Sequence, residues 1–150
     1  MKQLFSIVLF LALLPALPLQ AAESGSYEAC TQTLREADGA GKKISQAQVA
    51  ALIAASNKKC LSYVETGEWL NEVLFTALQY RPAYFVEAFS KAGSDIRNNI
   101  THELENPIND GIDLEGTYQA LATTGKDSAD KQALLSAVKL AGKKMGMDLK

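Results

Sequence analysis

Apolar residues recur every three or four positions along most of this chain, and no segment alternates strictly between apolar and polar residues with β-branched enrichment. A spacing of three to four aligns side chains on one face of a helix, whereas a half-buried strand needs a period of two. The pattern predicts an all-α fold: a single compact domain of about six to seven short helices in antiparallel hairpins.

The first helix is predicted from Tyr27 to Ala37, with Ser26 as N-cap and Tyr27, Cys30, Leu34 and Ala37 on one face. Gly39 and Gly41 are expected to end it, because glycine takes a left-handed conformation at low cost. The second carries a capping box, Ser45 with Gln48, and a hydrophobic staple between Ile44 and Val49. Its apolar face is read as Val49, Leu52, Ile53, Cys60 and Val64, with Thr66-Gly67 as the break that follows. The third, Glu68 to Tyr80, has the stripe Leu70, Val73, Leu74, Ala77 and Leu78, with Phe75 off that stripe. A helix apolar on more than one face is normally covered on more than one side. The third should therefore be the most enclosed.

Pro82 suits the first turn of a fourth helix and bars Arg81 from helical geometry. Phe85, Ala88, Phe89 and Ala92 follow, up to Gly93. A fifth helix, capped by Ser94, turns Ile96, Ile100 and Leu104 inward and stops at Asn106-Pro107. Residues 106–112 read as the clearest loop, and Asp113 caps a sixth helix with Leu114, Tyr118 and Leu121. The last begins at Asp127 or Ser128 and places Leu134, Leu135, Val138, Ala141 and Met145 inward. Lys139, Lys143 and Lys144 fall in its C-terminal half, where the helix dipole favours cations.

Between residues 63 and 89 the chain concentrates its bulk: Trp69, the only tryptophan, with Tyr63, Phe75, Tyr80, Tyr84, Phe85 and Phe89. Aromatic side chains bury the most apolar area, so the core, or an aromatic pocket, is expected at Trp69, Phe75, Tyr80, Tyr84, Phe85 and Phe89.

Composition adds an address. Met1-Lys2 is followed by the apolar run Leu4 to Leu14, interrupted only by Ser6, then by Pro15, Pro18 and Ala21-Ala22. This is the layout of a cleavable secretory signal, predicted over residues 1–22, with an all-helical domain over residues 23–150. The run is shorter than the roughly 20 apolar residues a membrane span requires. The product is expected in the periplasm or outside the cell, with no membrane anchor after cleavage. Of 15 basic residues one, Lys2, lies in the leader, leaving 14 against 17 acidic. That negative balance excludes a general nucleic-acid binder. In an exported chain the two cysteines, Cys30 and Cys60, are expected to form a disulfide. Its geometry requires either that the first helix extend toward Lys42 or that the 38–44 connection travel along the second helix. The two glycines in that connection favour the second route.

Catalytic motifs are missing. His102-Glu103 opens a zinc-protease pattern, but the second histidine position holds Asn106, and the chain has no other histidine. Aligning Gly111 with the glycine of a calcium loop puts Ile108 and Thr117 where oxygen ligands belong. Glu65, Glu68 and Glu72 are explained by the helix dipole rather than by acid chemistry. No nucleophile elbow, phosphate loop or cysteine–histidine pair is present, so neither enzyme activity, metal nor cofactor is expected.

What remains is charge distribution. Residues 95–115 carry six acids, Asp95, Glu103, Glu105, Asp110, Asp113 and Glu115, against Arg97. An acidic edge steers a basic partner, which makes Glu103, Glu105, Asp110 and Asp113 the candidate contacts. In size and architecture alone the chain resembles periplasmic immunity proteins and acid-stress chaperones. The reading is an exported, non-enzymatic protein-binding module, an inhibitor or immunity-type protein. The alternatives are an envelope stress chaperone and a small-molecule carrier with a pocket beside Trp69, Tyr80 and Tyr84.

Overall fold

A computed structural model describes residues 26–150; the predicted leader lies outside them. These residues form eight α-helices and no strand: α1 Tyr27–Ala40, α2 Gln46–Ala55, α3 Lys58–Leu61, α4 Val64–Tyr80, α5 Pro82–Lys91, α6 Ser94–Glu105, α7 Leu114–Thr123 and α8 Ala129–Lys144. A 3-10 turn, Gly41–Lys43, follows α1. The all-α class is as the periodicity predicts.

Helix α4 runs through the middle, packed against α1, α2, α3, α5, α6 and α7. On one side α1 lies against α2 and α2 against α5; on the other, α6 and α7 both lie against α8. The most enclosed helix is indeed the one bearing Phe75: Leu70, Val73, Leu74, Phe75, Ala77 and Leu78 are all buried. They join Phe85, Phe89, Ile100, Leu104, Leu121, Leu134 and Val138 in one continuous core. Local signals set most boundaries. Both halves of the Ser45–Gln48 capping box form. Pro82 opens α5, and the side chains of Asp113 and Ser128 cap α7 and α8.

The second predicted helix is where the reading fails. It stops at Ala55, and a separate short helix carries Cys60. Asn57 makes the break: its side-chain oxygen accepts from the N–H groups of Lys59 and Cys60, starting α3 afresh. Thr66-Gly67 breaks nothing and lies within α4. The buried Thr66 hydroxyl hydrogen-bonds the carbonyls of Cys60 (2.6 Å) and Tyr63 (3.0 Å), satisfying groups at the α3–α4 corner. Val64, read as inward, is exposed. At α6 the N-cap is Gly93, one residue before the expected Ser94. Met145, also read as inward, follows the end of α8 and is exposed.

The Cys30–Cys60 disulfide is present, with Cα atoms 5.7 Å apart. Of the two routes to it, the chain takes the less favoured one. Helix α1 continues through Gly39 to Ala40 and then into the 3-10 turn, and Gly41, at φ +48°, ends it. The helix break at Ser56-Asn57 supplies the remaining correction. The bridge sits with Ala55 and Tyr63 in a small cluster apart from the main core. Tyr27 packs edge-on against Tyr63, and its hydroxyl donates to Glu65 at 2.9 Å. That hydrogen bond and the Glu65 charge raise the Tyr27 pKa above its ordinary value near 10. The contact therefore contributes at neutral pH and is lost only as pH climbs through the raised value.

Lys131 is the one buried cation among the described residues. Its ammonium donates to the Ala122 and Thr124 carbonyls at 2.9 and 2.8 Å, closing the C-terminal end of α7, and lies 3.2 Å from Asp127. A helix leaves its last carbonyls unpaired unless something like this supplies donors. Lys131→Met keeps the aliphatic stem and removes the donors. Urea unfolding should show about 1–3 kcal/mol less stability, the cost of stranding two part-buried acceptors.

Candidate functional site

The α6–α7 loop, residues 106–113, is held from several directions. Asn106 caps the end of α6, its amide donating to the His102 carbonyl at 2.7 Å. Within the loop Asn109 accepts from the Gly111 N–H at 2.9 Å. Asp113 closes it by accepting from Gly116 N–H at 2.8 Å, the N-cap of α7.

The stronger hold comes from α4. Asn71 is completely buried on the face that also carries Leu74 and Phe75. Its side-chain N–H groups donate to the Glu103 carbonyl and carboxylate, both at 2.9 Å, and to the Asn106 carbonyl at 3.2 Å. Its oxygen accepts from Ile108 N–H at 3.3 Å. One position on, the Glu72 carboxylate accepts from the Asn109 amide. Two turns further, Gln79 donates to Asp113 at 2.7 Å. A Cβ on Gly116 would run into both the Asp113 carboxylate and the Gln79 amide, so only glycine admits this contact. From the other side Lys144 of α8 donates to the Glu105 carbonyl and to the Asn106 side chain, at 3.0 and 2.9 Å.

The loop so fixed presents Ile108, 45 % exposed, with Asp110 exposed two residues on. Between the loop and α4 lies a cleft of about 360 Å³ lined by Glu72, Thr76, Gln79, Tyr80, Asn109 and Asp113, among others.

The four acids singled out from the sequence are divided by this arrangement. Glu103 is turned onto Asn71, and Asp113 is engaged by the α7 cap and Gln79. Both hold the loop rather than face outward unpaired. Glu105 is half-exposed and Asp110 exposed, and Glu115, in the first turn of α7, is exposed as well. Asn71 and Gln79 escaped the sequence reading, which met Ile108 only as a position unfit for a calcium ligand. The available signal was Asn71 itself, a polar amide on an otherwise apolar helix face, where a buried group needs partners.

The six aromatics do not form one pocket. Phe75, Phe85 and Phe89 are buried in the core. Trp69 is half-buried, its indole N–H donating to Asp38 at 3.2 Å. Tyr80 is half-buried, with the Lys42 ammonium 4.9 Å from its ring centre, and it lines the polar cleft. Tyr84 lies on the exposed side of α5. Pro82 opens α5 so that Phe85, not Tyr84, turns inward.

Among the described residues no group of three or more His, Cys, Asp and Glu side chains is arranged to hold a metal ion. No described helix is long and apolar enough to cross a membrane. Comparison with protein-family models, curated proteins and solved structures finds no match to this chain.

Proposed function

We propose that this chain is an exported protein-binding module of inhibitor or immunity type, which engages a basic partner through the loop at residues 106–113. The observation that carries this reading is the fixation of that loop. A tip held in place before binding loses little conformational freedom when a partner docks, and the saving appears as affinity. The loop exposes an apolar side chain, Ile108, with Asp110 two residues on, and the acids Glu105 and Glu115 stand on the helices either side of it, outnumbering the Lys144 ammonium at its base. An apolar anchor within a charged rim is how protein interfaces divide affinity from steering. A stress chaperone instead needs surface released on demand, and a loop tied by Asn71, Glu72 and Gln79 favours a constant one.

The test is a photo-crosslinking amino acid at position 108, with a second at Ser90 on the exposed side of α5 as control. Irradiation in a periplasmic extract should give one stoichiometric protein adduct from position 108 and none from position 90. Asp110→Lys with Glu115→Lys should lower its yield at least tenfold. No adduct at 108, the same adduct from 90, or indifference to charge reversal would overturn the proposal.

A further inference from the structure

Beyond Lys144 the chain reverses. Gly146, at φ +74°, allows its own N–H to reach the Lys143 carbonyl (3.1 Å) and that of Met147 to reach the Gly142 carbonyl (2.8 Å). This double closure is a Schellman end, which needs a left-handed residue at that point. The tail then runs back until Leu149, 1 % exposed, seats on Gly142. A Cβ at position 142 would stand 2.7 Å from two Leu149 carbons, so only a glycine there accepts the leucine. Gln119 of α7 ties down the far end through the Lys150 carbonyl.

Between this tail and the outer face of α8 lies a groove of about 670 Å³. Its apolar lining is Leu140, Met147 and Leu149, and Lys139 and Lys143 line it one helical turn apart. Leu140 and Met147 are each 39 % exposed. The volume is that of a small-molecule site, for which about 300–1,000 Å³ is usual. The Asp148 carboxylate, also in the lining, lies 3.5 Å from the Lys150 ammonium, which offsets its charge. The groove therefore pairs an apolar floor with a net positive wall.

We propose that this groove binds a single-chain carboxylate amphiphile of the fatty-acid type, the chain along Leu140, Met147 and Leu149 and the carboxylate at Lys139 and Lys143. Charge complementarity selects the anionic head. The limited apolar lining selects one chain over larger occupants. Leu140 is the only large apolar side chain exposed on α8, so the helix offers no stripe for a partner helix. No aromatic lines the groove, unlike the surfaces that settle at a membrane interface. Methionine suits a flexible chain, since its thioether adapts to irregular contact.

Calorimetry with dodecanoate below its micellar concentration should give one site per chain. Removing two methylenes, as decanoate, should weaken it by up to about fourfold for each. In protein carrying carbon-13 methionine methyls, the Met147 resonance should shift on saturation. Lys139→Glu with Lys143→Glu should weaken binding at least tenfold with helicity unchanged. Gly142→Val, which unseats Leu149, should abolish it by dismantling one wall. The same groove should discriminate against dodecyltrimethylammonium, which has the chain but the opposite charge. The proposal falls if dodecanoate does not saturate, if the cationic amphiphile binds equally well, or if the Met147 methyl stays still. It falls equally if the double lysine variant binds as before, or if only phosphatidylglycerol vesicles bind.

Discussion

Replacing Cys30 and Cys60 together by alanine is expected to cost the domain about 3.5–4 kcal/mol, the loop-closure entropy restored to an unfolded chain once tied across some thirty residues. For a domain of this size that corresponds to a thermal midpoint lower by roughly 14 °C. The loss should be felt first around α3. The bridge that holds this four-residue helix lies in the small cluster with Ala55 and Tyr63, apart from the main core. Without the covalent tie, α3 keeps the Asn57 cap, the Thr66 hydrogen bonds at the α4 corner and the packing of the half-buried Leu61 on the main core. Circular dichroism melts with and without a reductant check the size of the effect, and amide exchange checks its location. A midpoint change below about 4 °C, near 1 kcal/mol, would mean that packing alone holds the α1–α3 contact.

Asn71→Leu should be nearly as damaging, and its effect bears on the proposed binding loop. Leucine fits an apolar face, so by volume the change is mild. It nevertheless removes the side-chain partner of the Asn106 carbonyl and of the Ile108 N–H, and leaves the Glu103 carbonyl only the Asn106 N–H. Stranding a buried polar group costs about 1–3 kcal/mol, and for these two part-buried groups together a loss of about 2–3 kcal/mol is expected. Urea titration measures it, and exchange at residues 106–110 should accelerate well beyond the global change. Asn71→Asp separates shape from charge. It keeps an acceptor for Ile108 N–H but sets a second carboxylate against that of Glu103, and like charges at such range repel. That variant should be less stable at pH 7 than near pH 4, where one acid of the pair holds a proton. Equal stability at both would mean that Glu103 can swing away, and that the carbonyl contacts alone position the loop.

Much of the architecture is legible in the order of residues because its causes act over three or four positions. The Ser45–Gln48 box, Pro82 at the head of α5, and Asp113 and Ser128 as caps each act on backbone groups within one turn. The apolar spacing likewise names most of the core, Phe75, Phe85 and Phe89 included. Pairing Cys30 with Cys60 needed only the count and the expected compartment. The path between them was misread because Asn57 is an ordinary polar residue until its side chain is seen to cap Lys59 and Cys60.

The candidate site was legible only in outline. The loop and its acids stood out by composition, but which acids are engaged in holding it depends on partners some thirty residues distant. Glu103 is claimed by Asn71 across 32 positions, and Asp113 by Gln79 across 34. The groove beside α8 was invisible, since it exists only when Leu149 returns to Gly142. By itself, then, the sequence determined the helical class, most helix ends, the apolar residues inside and the cysteine pair, all consequences of short-range geometry or of composition. Only the tertiary structure decided where the second helix breaks, which polar groups are buried and paired, and what the tail covers, because each depends on atoms brought together from distant parts of the chain.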